Sequence, residues 1–314
     1  MDLVALLRRQ IAALPLGADR PGLEAVVSHV DCAFRHRQRG IDTADDTLFS
    51  DAIYRCNHAF EGSMKEAYRV ITGKDPDKVT PYEIESYFDK NSVFRPRVVK
   101  QLSIYRTDWR NPSTHDYKLD FDQSESLVAI VTVAAFTSLV LDEIAEQLSF
   151  AKSKAETDKT PPPVQLDPQN QIRSLRSHVS LLIQQFCASH IPPTDSGAPP
   201  LTERELFGAL HGYLASAAPD LIVEIEPQLK ADKPFRPDLV IQSGGERLVV
   251  EIKRRFHKST YHNAIAQVEH YMLIGQMQEG VLVFMPSQNS RVHERILPVE
   301  GLEGSLSVLS SEEA

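Results

Sequence analysis

Apolar residues recur at three- and four-residue intervals through the first 150 positions. Beyond about residue 220 they alternate in short runs or cluster in β-rich stretches. Helical and strand periodicities do not interchange, so this switch calls for an all-α region followed by a mixed α/β region. A chain of 314 residues also exceeds what one hydrophobic core usually serves, so each region is expected to bury a core of its own.

In the first region, Ile53, Phe60, Met64, Ala67 and Ile71 form one helical stripe that stops at Gly73 and Pro76. Thr80, Pro81 and Glu83 supply an N-cap, a first-position proline and a capping-box carboxylate. Val98, Leu102, Tyr105 and Trp109 share a face up to Pro112, which is expected to end that helix. An apolar helix follows over about 124–147. The run Leu127–Leu141 is too short to span a bilayer and suits the core of a bundle of roughly four or five helices.

Residues 152–170 are polar, with three consecutive prolines at 161–163, and read as a linker. A helix at about 172–190 and a second proline-rich break at 191–200 come next. Then the order is a helix at about 202–215, strands at 221–226, 237–242 and 247–253, a helix at about 260–277 and a strand at 281–285. The expected organisation is a bundle over 1–150, a linker with one helix over 151–200, an α/β domain over 201–300 and a tail over 301–314.

Composition narrows the function classes. A net charge of -9 argues against coating nucleic acid by bulk electrostatics, so any such contact must use local basic patches. Two exist: Lys90, Arg95, Arg97, Lys100, Arg106 and Arg110 in the first region, and Arg247, Lys253, Arg254, Arg255 and Lys258 in the second. Cys32, Cys56 and Cys187 lack metal-ligand spacing and the even count of a disulfide framework, which fits a reducing cytoplasm. The N-terminus, interrupted by Arg8 and Arg9, reads as an amphipathic helix of the mature protein.

The segment Pro237–Lys253 reads PDLVIQSGGERLVVEIK, two strands joined by a turn at Ser243–Glu246. Alternation puts Glu251 and Lys253 on one face, and Asp238 begins the facing strand at the same end. Two carboxylates suit Mg²⁺ or Mn²⁺, which activates water and neutralises phosphate charge. A neighbouring ammonium steadies the developing anion. Gln267 and Tyr271, four apart, share a face of the following helix. This set resembles the PD-(D/E)XK superfamily, in the branch with a Q-x-x-x-Y helix that includes RecB-like nucleases. The resemblance implies that Asp238, Glu251 and the backbone of Ile252 bind metal, that Lys253 is catalytic, and that Gln267 and Tyr271 position substrate or metal. Such nucleases often carry a further acid on the preceding helix. Glu205 completes a capping box with Thr202, whereas Glu203 shares the helical face of Phe207, Leu210 and Leu214 that must pack on the sheet, so Glu203 is the expected further metal ligand.

Arg110 and His115, in RNPSTH, resemble the R-x4-6-H motif of HEPN domains, many of which are metal-independent ribonucleases acting as dimers. An arginine can clamp phosphate while a histidine moves a proton near neutral pH. Asn57 and Glu61 are placed to orient Arg110. Arg173 and His178 share the same spacing, but lack the following bundle helix. Together the two resemblances imply a cytoplasmic, homodimeric nucleic-acid-cleaving effector of bacterial antiviral defence, acting on DNA and RNA, with defence-system partner proteins and no membrane. A DNase whose helical domain only dimerises or senses, and a non-catalytic nucleic-acid-binding protein, are the alternatives.

Overall fold

The computed structural model describes residues 2–16, 20–91, 93–116, 118–160, 174–192, 200–230, 235–286 and 290–311. The chain divides into two compact units, Met1–Leu148 and Ser149–Ala314.

The first unit is helical: α1 (Leu3–Ala13), α2 (Arg20–Thr43), α3 (Thr47–Thr72), α4 (Pro81–Lys90), α5 (Pro96–Tyr105), α6 (Asn111–His115) and α7 (Gln123–Lys159), the last running past the unit boundary. Ile53, Phe60, Met64 and Ala67 are buried, as their stripe requires, and α3 ends at Gly73 with φ 67°. Phe60 stacks on Tyr105 with ring centroids 4.7 Å apart and meets Phe136 at 5.0 Å. The capping box of α4 forms as expected, Thr80 and Glu83 each satisfying the other's backbone N–H.

Pro112 does not end the helix it was expected to end. The backbone opens into a π-turn over Arg106–Arg110, closed by Asn111 N–H onto the Arg106 carbonyl, and continues as α6 with the proline in its first turn. The wider turn fits a residue that has no N–H to give, so the helical path shifts and continues. Half of the basic patch expected before it is neutralised. Arg95 is buried with Glu146 at 2.6 Å and Glu143 at 3.9 Å, Arg106 pairs with Glu85, and Arg110 pairs with Glu61. Lys90, Arg97 and Lys100 are exposed.

The apolar run Leu127–Leu141 lies in a helix of 37 residues, so shortness does not argue against a membrane span. Burial does, because 56% of its most apolar window is packed inside the protein. The helix also covers the start of the expected linker. Ser153 and Thr157 are buried, Thr157 returns its hydroxyl to the Ser153 carbonyl at 2.8 Å, and the Phe150 carbonyl closes against Gly212, where a Cβ would collide with it. Small side chains there allow close helix contact that bulkier ones would block, so polarity alone misplaces the linker. The prolines at 161–163 and residues 193–199 of the break at 191–200 fall outside the described residues.

The second unit adds α8 (Leu175–Ser189), α9 (Glu203–Ala217), β1 (Ile222–Ile225), β2 (Leu239–Ser243), β3 (Glu246–Lys253), α10 (Lys258–Gly275), β4 (Glu279–Phe284), β5 (His293–Pro298) and β6 (Ser305–Ser310). The strands form one mixed sheet in the order β1-β2-β3-β4-β6-β5, antiparallel over β1-β2-β3, parallel over β3-β4-β6, with β5 antiparallel on the edge. Leu206, Leu210 and Leu214 of α9 and Val179, Ile183 and Phe186 of α8 pack on one face with Leu239, Ile241, Leu248 and Val250. Val268, Tyr271 and Met272 of α10 pack on the other with Val240, Val249 and Leu282.

Two expectations change here. The helix assigned to the linker is part of this core, its first N–H groups capped by Glu246 at 3.1 Å and Glu279 at 3.0 Å. The residues assigned to a tail contain β6, an interior strand with Leu306, Val308 and Leu309 buried. Its serines disguised it. Ser307 is fully buried, where it accepts from Arg176 and donates to Glu294, so the polar atom is satisfied.

Candidate active site

The β2–β3 turn fixes the register of everything around it. Gly244 and Gly245 both have positive φ, 57° and 87°, which gives a two-residue hairpin loop with Ser243 paired to Glu246. Counting back from that pairing, Leu239 faces Val250, and Asp238 meets Glu251 just beyond. The Asp238 backbone N–H donates to Glu251 Oε2 at 3.3 Å, while Asp238 Oδ2 accepts from Ile252 N–H at 2.7 Å.

Lys253 follows on the same face. Its Nζ donates to Glu251 Oε1 at 2.8 Å and to Gln267 Oε1 at 3.0 Å. Gln267 Nε2 donates in turn to Glu251 Oε1 and to the Tyr271 hydroxyl, both at 2.9 Å. Asp238, Glu251, Lys253, Gln267 and Tyr271 thus form one connected network on the α10 face of the sheet. Glu251 is buried, whereas 30% of the Lys253 side chain is open to solvent.

Burial and the facing Glu251 carboxylate push the Asp238 carboxyl up to about 7. Burial also raises the Tyr271 hydroxyl, so it stays protonated at neutral pH. Two facing carboxylates with one ammonium leave negative charge to be neutralised, and hard oxygen donors suit Mg²⁺ or Mn²⁺. Asp238 and Glu251 therefore fit such an ion. Among the described residues no three His, Cys, Asp or Glu side chains gather as a metal cage. Mg²⁺ commonly keeps several waters and takes one or two carboxylates, so a pair is sufficient.

Glu203 is not drawn into this network. It is exposed in the first turn of α9, whose apolar stripe packs on the opposite face of the sheet, while Glu205 makes the capping box. The Ile252 backbone has a visible role through its N–H, which holds Asp238. Of the second basic patch, Arg254, Arg255 and Lys258 follow Lys253 and are exposed, whereas Arg247 lies at the far end of β3. Sequence reasoning missed Glu226. It stands opposite Asp238 at the end of β1, with its N–H donating to the Asp238 carbonyl at 2.9 Å. The connection from β1 to β2 is too long for a turn rule to set that register.

In the first unit, Arg110 Nε and Nη2 each donate to Glu61 Oε1 at 3.2 Å and Nη1 donates to Asn111 Oδ1 at 3.2 Å. Asn57 serves another purpose, accepting from the Tyr105 hydroxyl at 3.0 Å and donating to Ser113 Oγ at 2.8 Å. His115 ends α6 exposed, and no hydrogen bond among the described residues joins it to Arg110. Of the competing pair, Arg173 lies outside the described residues and His178 sits within α8.

Neither family models nor curated proteins nor solved structures match this chain.

Proposed function

We propose that the second unit is a metal-dependent nuclease of the PD-(D/E)XK kind that hydrolyses DNA phosphodiesters. The observation that carries this reading is the ring of contacts joining Glu251, Lys253 and Gln267, with Asp238 held against Glu251 from the neighbouring strand. A purely structural ion pair needs neither a second carboxylate facing the first nor an amide bridging lysine and glutamate. Asp238 and Glu251 would hold Mg²⁺ or Mn²⁺, which when bound supplies activated water and charge neutralisation at phosphate. Lys253, partly open to solvent, would set its ammonium against the negative charge that develops on the phosphate. Gln267 fixes both partners, so the ammonium and the carboxylate stay in register with each other. Arg254, Arg255 and Lys258, exposed beside this end of the sheet, supply the contacts to the phosphate backbone that the acidic chain as a whole does not. Incubating the purified chain with labelled DNA and RNA, with and without Mg²⁺, tests it. Mg²⁺-dependent DNA cleavage is the expected result.

We propose a second activity at Arg110 and His115, on the resemblance to HEPN domains. A guanidinium held by a carboxylate at a π-turn in the helix, five residues before an exposed histidine, is suited to metal-free RNA cleavage of the HEPN kind. The resemblance implies a homodimer through the first unit that brings two copies of Arg110 and His115 to one cleft. Light scattering on the full chain should report that dimer. The two resemblances together imply an antiviral effector that would act with partner proteins in a bacterial cytoplasm.

A further inference from the structure

We infer that Glu226 is a positioning residue of the DNA-cleaving site, placing a third negative charge beside the Asp238–Glu251 pair, and that Arg204 offsets that charge. The inference rests on the metal-dependent reading above. The pairing of Ile225 with Leu239 continues by one step, through Glu226 N–H to the Asp238 carbonyl at 2.9 Å, so Glu226 is the direct neighbour of Asp238 across the strands. Its carboxylate faces Arg204 of α9, with Nη1 3.8 Å from Oε1 and both side chains about four-fifths buried. Its carbonyl accepts from Arg236 Nη1 at 2.9 Å, and Arg236 Nη2 goes on to Gln228 at 2.9 Å, which fixes the backbone just past β1.

A glutamate is an uncommon residue at this backbone position. Glu226 has φ 43°, in the left-handed region where a glycine or asparagine would be relaxed. A carboxylate held in strained backbone, next to a site that must attract a cation, is accounted for if its charge is what matters.

The test separates charge from structure, because the two partners of the ion pair have opposite signs. Mn²⁺ binding to the full chain is measured by electron paramagnetic resonance of the free ion, for the native protein and for Glu226→Gln, Glu226→Gly, Arg204→Gln and Glu251→Ala. Removing the acid should weaken Mn²⁺ binding about threefold to tenfold, and removing the arginine should tighten it by a similar factor. Glu226→Gly relaxes the left-handed backbone, so a lower affinity in this variant as well ties the effect to charge. If the Glu226 and Arg204 variants shift affinity in the same direction, or not at all, the pair is only structural and the inference fails. Native affinity in Glu251→Ala would instead remove the metal site itself.

Discussion

Lys253 Nζ donates to Glu251 Oε1 at 2.8 Å from two positions further along the same strand. A strand repeats its side-chain direction every second residue, so this contact follows from β structure with no help from the rest of the fold. The two partners nonetheless have separable roles. Glu251→Ala should weaken Mg²⁺ binding and abolish DNA cleavage, whereas Lys253→Ala should keep most of the metal affinity and still lose about a hundredfold or more in rate. Calorimetric Mg²⁺ titration beside a cleavage assay distinguishes them, and full activity in either folded variant would remove the assignment.

Asp238 gives a pH dependence whose sign is fixed. Its carboxyl moves from an ordinary 3.8 up to about 7 in the folded chain, through burial and the facing Glu251. Between those limits the folded state holds a proton that the unfolded state has lost, so metal-free stability falls as pH rises from about 4 to 7. Asp238→Asn removes that dependence while an amide oxygen can still accept from Ile252 N–H. In EDTA the variant should be more stable than the native chain at pH 8, by roughly 2 kcal/mol, and the advantage should vanish near pH 4. Urea denaturation at the two pH values measures it. Equal stability at pH 8 would show that the carboxylates do not repel as their positions require.

Gln267 is expected to act through its neighbours. It bridges Glu251, Lys253 and Tyr271 without being an ionisable group itself, so Gln267→Ala should leave Mg²⁺ affinity within a few-fold and lower kcat about tenfold to a hundredfold. Tyr271→Phe removes only a hydroxyl that accepts from Gln267, so it should cost less. A Gln267→Ala variant with native kcat would reduce the amide to packing.

Residues placed by local rules are legible in the amino-acid sequence. Strand alternation and a two-glycine turn put Asp238, Glu251 and Lys253 at one end of a hairpin, and helical spacing aligned Gln267 with Tyr271. Where a position depends on contacts distant in sequence, composition misleads. Ser307 makes β6 look like a polar tail until Arg176 and Glu294 arrive to satisfy it, and Ser153 and Thr157 make a packed helix look like linker. Glu226 faces Asp238 across a connection whose length sets no register. Pro112 marks a local rule that applies but is answered differently, by a π-turn that keeps the helical direction.

Chelation should divide the two proposed activities, because the sites neutralise phosphate charge by different means. Without a divalent cation, Asp238 and Glu251 present negative charge to a polyanion, offset in part by Lys253. EDTA should therefore stop DNA cleavage and weaken DNA binding. Arg110 carries its own permanent charge, oriented by Glu61, and His115 is exposed and needs no metal, so RNA cleavage should persist in EDTA. His115→Ala should abolish it, and the products should bear 2′,3′-cyclic phosphates, the ends left when a ribose 2′-hydroxyl attacks. Glu61→Gln should slow it less, since an amide oxygen can still accept from Arg110 while the ionic part of the contact is lost. Gel analysis of labelled RNA with and without EDTA decides the matter. Mg²⁺-dependent RNA cleavage that survives His115→Ala would assign all hydrolysis to Asp238, Glu251 and Lys253, leaving the helical unit to dimerise or to sense.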